Sequence, residues 1–228
     1  MLDLRGKAVW ITGASSGLGE ALAELVTGPT QRSIAVTFDD GYSDFLPVVE
    51  CLADIGARAT LYVSTNHVGD RQLIPEAGRL LTWKELATIP TSTVEIGSHA
   101  HRHRPMDVLS SAAVLDEATT SRAAILHHLG RASTSFCYPH GYTSRRVQRQ
   151  IAAAGYTSAC IVGRRVATSS DSLFALPRLQ VRDHMSAQEV IDLVNVGEPG
   201  IAPKLKPALQ PAWRAVRYAS RAMGTELS

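Results

Sequence analysis

Several things are scarce in this 228-residue chain, and each scarcity excludes something. The three cysteines, Cys51, Cys137 and Cys160, are odd in number, far apart and without a Cys-x-x-Cys spacing. That argues against a thiolate zinc site or a redox dithiol and points to reduced, mostly buried thiols. An excess of one charge is missing too: 23 Lys and Arg stand against 21 Asp and Glu, which leaves no electrostatic footprint for nucleic acid. No apolar run approaches the roughly 20 residues of a membrane helix, so no stable membrane insertion is expected. The first residues, MLDLRGKAVWITGASSG, lack the basic start and unbroken apolar stretch of a secretory leader. The expected location is therefore cytoplasmic. No internal repeat is visible. What remains is an ordinary globular composition, 45% hydrophobic and 19% charged, in a chain long enough to bury a core without disulfides or a structural metal.

Short apolar runs alternate with helical patterns along most of the length. Strands are expected at 7–12, 34–38, 59–63, 94–98, 135–138, 159–162 and 176–181, and helices at 18–26, 45–55, 83–89, 110–129, 144–154 and 186–196. Gly56, Gly130 and Gly155 stand where helices should stop. This alternation predicts an α/β fold with a parallel sheet and helical crossovers, and such sheets carry their sites just past the strand ends. Three segments are expected: 1–30, a strand-turn-helix fragment; 31–200, the main domain; and 201–228, a tail with Pro203, Pro207 and Pro211 and five basic residues against one acid. Trp213, Val216, Ala219 and Ala222 in that tail fit one face of a short basic helix.

Four places carry residue types suited to chemistry. Thr12-Gly13-Ala14-Ser15-Ser16-Gly17-Leu18-Gly19 follows a strand and opens a helix, where backbone N–H groups can hold a phosphate. Thr37-Phe38-Asp39-Asp40-Gly41-Tyr42 puts two adjacent carboxylates at a strand end; burying both needs a cation or a proton to relieve their repulsion. Ser98-His99-Ala100-His101-Arg102-His103 follows another strand. His99 and His103, four apart, are expected to meet across one helical turn and chelate one ion, with His101 pointing elsewhere. Two imidazoles and a carboxylate leave positions open for water and substrate, as catalytic rather than structural sites do. Phe136-Cys137-Tyr138-Pro139-His140-Gly141 closes a further strand and is expected to wall the same cavity.

Taken together and in order, the last three segments resemble the polysaccharide deacetylase family (the NodB-homology domain, carbohydrate esterase family 4). Gly56-Ala57-Arg58-Ala59-Thr60-Leu61-Tyr62-Val63, Leu81-Thr82-Trp83, Glu95-Ile96-Gly97-Ser98-His99 and Leu176-Pro177-Arg178-Leu179 extend the likeness over residues 33–195. The resemblance implies a distorted (β/α) barrel and a hydrolase that removes acetyl groups from N-acetylated, or O-acetylated, sugars of a polysaccharide or its precursor. It implies that Asp40, His99 and His103 bind a divalent metal, zinc foremost, with cobalt or nickel as substitutes. Asp39 would be the general base, and the backbone N–H near His140 an oxyanion contact. The arginine common in the family's third motif, thought to orient the base, is replaced by Cys137. The late histidine acid is absent, so His184 is the first substitute for it and His140 the second.

Residues 1–26 resemble the cofactor loop of short-chain dehydrogenases, and Asp39 follows Gly19 at a spacing that suits a ribose contact. The later Asn-Ala-Gly and Tyr-x-x-x-Lys elements of that family are absent. An NAD(P)-dependent oxidoreductase is therefore the first alternative, and a catalytically inactive carbohydrate-binding barrel the second. In the barrel, the dehydrogenase-like leader either completes the sheet with a foreign strand or damages it.

Overall fold

The computed structural model describes residues 8–12, 33–69, 78–182 and 185–196. Seven parallel strands run in sequence order around a closed barrel: β1 (Ala8–Thr12), β2 (Ser33–Phe38), β3 (Ala59–Val63), β4 (Val94–Ser98), β5 (Ser135–Cys137), β6 (Ser158–Val162) and β7 (Leu176–Gln180). β1 pairs with β2 over five residues and with β7 over two. The leader strand therefore completes the sheet. The expected helix at 18–26, the cofactor-type loop beyond Thr12 and the basic tail lie outside the described residues. The barrel is distorted, as expected: β4 and β5 share one registered pair, Ser98 with Phe136.

The helices are α1 (Leu46–Asp54), α2 (Trp83–Thr88), α3 (Ser111–Leu129), α4 (Arg145–Ala153) and α5 (Ala187–Val196). Their ends follow local chemistry. Thr82 and Glu85 form a reciprocal capping box at the start of α2. The hydroxyls of Ser110 and Ser144 accept from Ala113 N–H and Val147 N–H. Gly130 stops α3 in the left-handed conformation that costs glycine nothing. No helix among the described residues is long and apolar enough to cross a membrane.

Alternation along the strands sorts side chains into two layers. Val36, Phe38, Leu61, Val63, Ile96 and Leu179 face outward and pack with Val49, Leu52, Leu86, Val190 and Val194 of α1, α2 and α5. A second outer core joins Phe136 and Ala159 to Val114, Ala118, Val147 and Ile151 of α3 and α4. The inner layer differs. Barrel interiors are usually filled by branched aliphatics, but here Tyr62, Cys137, Cys160 and Leu176 form a small buried cluster beside the fully buried Arg178. Tyr62 fits because Gly97 lies opposite; a Cβ there would stand 2.4 Å from the Tyr62 ring. Of the thiols, Cys137 and Cys160 are buried, whereas Cys51 on α1 is exposed.

Candidate metal centre and active site

The site is built at the C-terminal ends of β2, β4 and β5. Past β2 the chain turns at Asp40, which adopts a left-handed φ of 71°, and at Gly41, φ 89°. Gly41 N–H donates to the Asp39 carbonyl, 2.9 Å. The turn lets neighbouring carboxylates face one cavity, which an extended strand forbids. Past β4, His99 N–H donates to the Val63 carbonyl, 2.9 Å, and the chain leaves the sheet through Ala100, φ 63°, and His103, φ 55°. Past β5, a short 3-10 turn, Pro139–Gly141, holds His140 at φ 57°. Four of the five non-glycine residues with positive φ among those described thus surround this cavity; Arg164 is the fifth. Each costs on the order of 1–3 kcal/mol, and such strain gathers at functional sites.

The expected helical turn between His99 and His103 does not form; residues 99–105 carry no helix. A non-helical loop with two left-handed residues, Ala100 and His103, brings the rings together by another route, with centroids 4.9 Å apart. His99 Nε2 lies 3.4 Å and His103 Nε2 3.2 Å from Asp40 Oδ1. His101 points away, as expected, its Nδ1 2.9 Å from the Thr65 hydroxyl.

These three side chains fit a divalent cation. Asp40 Oδ1 is buried and lacks a well-formed hydrogen bond. The His99 Nδ1 lies 2.9 Å from the Cys137 carbonyl; a carbonyl only accepts, so Nδ1 carries the proton and the neutral ring turns a lone pair at Nε2 toward Asp40. Burial holds the His99 pKa below its ordinary value, which keeps the ring in its ligating form. That lone pair and the Asp40 oxygen repel unless a proton or a cation stands between them. Ligands about 2.0–2.1 Å from a tetrahedral ion are ~3.3–3.4 Å from each other, close to the separations from Asp40. Burial raises the Asp40 pKa, but the flanking His103 and His99 lower it by more, so a carboxylate is present.

Asp39 sits in a different environment. Arg178 Nη1 donates to its Oδ1 and Arg178 Nη2 to its Oδ2, both at 2.7 Å, a bidentate clamp. The guanidinium also donates to the Thr37 hydroxyl at 3.0 Å and to Cys137 Sγ at 3.1 Å, and the Cys137 thiol donates to Asp39 Oδ2 at 3.6 Å. Burial raises the Asp39 pKa, yet the Arg178 charge and hydrogen bonds hold the carboxyl well below the usual carboxylate range. Burial pushes the Cys137 thiol well up, so it is a thiol rather than a thiolate. Asp39, His99 and Cys137 also lie within mutual ligating distance, but the Arg178 cation already balances that group.

Arg178 is the functional residue that motif reading missed. The replacement of the third-motif arginine by Cys137 had suggested an unoriented base. The arginine comes from β7 instead. β1 separates β7 from β2 in the sheet, so the guanidinium crosses the barrel lumen, and the small Cys137 leaves it room. The signal was an arginine at an inward position of the run Leu176-Pro177-Arg178-Leu179-Gln180, where a charge is not tolerated without a partner. His140 does reach the site: its ring centroid is 4.8 Å from that of His103, and it stacks on Tyr142 at 6.0 Å. His184 lies outside the described residues.

A family model described as polysaccharide deacetylase matches residues 27–159. No curated protein matches the chain by sequence. Among solved structures, the Streptococcus pyogenes deacetylase PplD in complex with acetate is similar at a TM-score of 0.69 and 16% identity, over 85% of this chain and 98% of that one. IcaB from Ammonifex degensii is similar at 0.66 and 15%, over 83% and 97%. The deacetylase domain of BpsB from Bordetella bronchiseptica is similar at 0.65 and 18%, over 77% and 96%. At these identities the structural likenesses establish the fold. The family match begins at residue 27, so the dehydrogenase-like reading of residues 1–26 gains no support from it. It spans more than half of the chain and includes the aspartate pair, the histidine loop and the turn at His140, and by it the chain belongs to the polysaccharide deacetylase family of hydrolases.

Proposed function

We propose that this protein is a divalent-metal-dependent deacetylase that acts on N-acetylated sugars of a polysaccharide or its precursor, with Asp40, His99 and His103 as the metal ligands. The observation that carries the reading is the contrast between the uncompensated Asp40–His99–His103 cluster and the arginine-clamped Asp39 beside it. A divalent cation held there, zinc by the chemistry of a two-nitrogen, one-oxygen donor set, supplies Lewis acidity that lowers the pKa of water and polarises an acetyl carbonyl.

Asp39 is the general base. Its carboxylate is ionised throughout the neutral range and held in one orientation by Arg178, so it can take a proton from attacking water without first finding its position. The backbone N–H of His140, whose ring lies beside that of His103, is the donor assigned to the developing oxyanion. The products are acetate and a free amine. The family membership and the deacetylases of similar fold support an acetylated carbohydrate as the substrate class.

The test is acetate release from N-acetylated chitooligosaccharides by the purified protein, before and after chelation and after adding back Zn²⁺ or Co²⁺. Activity abolished by chelator, restored by metal and lost in Asp39→Asn is expected. Metal binding without acetate release from any N-acetylated glycan would instead identify an inactive carbohydrate-binding barrel.

A further inference from the structure

We propose that Glu117 on α3 is the positioning residue that holds the His99–His103 loop in its ligating shape. The inference rests on the metal-site reading above. Glu117 is a fully buried carboxylate, its side chain 1% exposed, and it lies outside the four segments that carry the site chemistry. Its Oε2 accepts two successive backbone N–H groups, His101 at 3.1 Å and Arg102 at 2.7 Å. These belong to the residues between the two imidazole ligands. Its Oε1 accepts from Arg102 Nη1 at 3.0 Å.

Successive N–H groups aimed at one point form an anion-binding concavity when left-handed residues interrupt the backbone. Ala100, with φ 63°, stands immediately before this pair, and His103, with φ 55°, immediately after it. Glu117 is the anion of that concavity. The carbonyl side of the same loop is held separately: Asn66 N–H and the Ser64 hydroxyl donate to the His101 carbonyl at 2.9 and 3.2 Å, and Thr65 N–H donates to the Ala100 carbonyl at 3.3 Å. Those contacts tie the loop to the end of β3 but leave its N–H groups without an acceptor. Without the carboxylate, two partly buried backbone donors must seek another partner. The loop then relaxes toward ordinary φ values, and His103, its last residue, moves away from Asp40.

The test reads metal binding and loop protection rather than turnover. Co²⁺ affinity is measured by competition with a chromophoric chelator, together with the visible spectrum of the bound ion. Amide hydrogen exchange at His101 and Arg102 is measured on the metal-free protein. Glu117→Ala is expected to weaken Co²⁺ binding about 10- to 100-fold, the range for partners that orient ligands, to alter the spectrum and to speed exchange at both amides. Glu117→Gln keeps an acceptor oxygen and should recover most of the affinity. Arg102→Ala leaves the backbone donors in place and should stay within about threefold of the parent. If Glu117→Ala does not fold, Glu117→Asp decides: withdrawing the carboxylate by one methylene should cost at least about fivefold, and parent-like affinity with parent-like exchange overturns the proposal. So does Glu117→Ala with the parent's affinity and spectrum, or an Arg102→Ala loss as large as that of Glu117→Ala. A parent protein that binds no Co²⁺ overturns the metal reading itself.

Discussion

The two adjacent aspartates divide the cavity into two regions with opposite charge bookkeeping. On the floor, Asp39, Arg178, Thr37 and Cys137 are balanced in charge: one carboxylate meets one guanidinium, both Nη groups and the Cys137 thiol find acceptors, and of the guanidinium only Nε lacks one. At the mouth, Asp40 faces two imidazole nitrogens at 3.2 and 3.4 Å, with no arginine or lysine among the described residues beside it to balance the carboxylate as Arg178 balances Asp39. Sequence neighbours on one turn thus have different chemistry. The carboxylate paired with a buried arginine is held in one orientation, which suits the base proposed above, while the one facing two imidazoles is placed as the proposed ligand would be. The difference comes from what β7 and β4 bring to the cavity.

The comparison can be broken hardest at the floor. Arg178→Met should leave Asp39 as an uncompensated, partly buried charge and cost about 3 kcal/mol or more of stability, measured by urea unfolding of the metal-free protein, with loss of acetate release. An unchanged unfolding midpoint would show that the floor is not held by the pair. At the mouth, adding Zn²⁺ or Co²⁺ at about 100 times its dissociation constant should stabilise the parent by ~2.7 kcal/mol, read as a rise in Tm. His103→Ala should lose most of that rise. A metal-induced rise of the same size in Asp40→Ala would locate the ion elsewhere.

The imidazoles and the carboxylates of the cavity should also separate by pH in the metal-free protein. The folded pKa of Asp39 is depressed, so its contribution is complete above the unfolded value of about 3.9 and is lost as pH falls below it toward the folded value. The folded pKa of His99 is depressed as well. There the unfolded chain takes up the proton first, and stability falls as pH drops below about 6.5. Unfolding free energy measured from pH 8 to pH 3 should therefore fall in two steps. His99→Gln should shrink the upper step, to which His101, also held low by burial, contributes, and Arg178→Met should shrink the lower one, which Asp39 shares with Asp40, Glu85 and Asp171. The smallest effect is expected from Thr37→Val, which removes one acceptor of the Arg178 guanidinium and should cost about 1 kcal/mol in the same unfolding measurement.

Much of the fold was legible because the hydrophobic pattern is local. The strands expected at 59–63 and 94–98 agree with β3 and β4 to the residue, and Gly56 and Gly130 mark helix ends as expected. The convergence of Asp40, His99 and His103 was legible for a similar reason: each lies within a few residues of a strand end, and parallel barrels gather those ends on one face. The route was not. A spacing of four suggests a helical turn, whereas residues 99–105 form a non-helical loop through the left-handed Ala100 and His103. Arg178 was quoted as part of a late strand but not recognised as the partner of Asp39, because they are far apart in sequence and meet across the lumen.

The order of strands and helices, and the residue types offered at each strand end, were determined by the amino-acid sequence alone, because propensity, capping and periodicity act within a turn or two of chain. Which carboxylate is clamped and which is left facing two imidazoles was decided only by closure of the barrel. Charge compensation in a buried site depends on distance through space, and only the folded chain sets that distance.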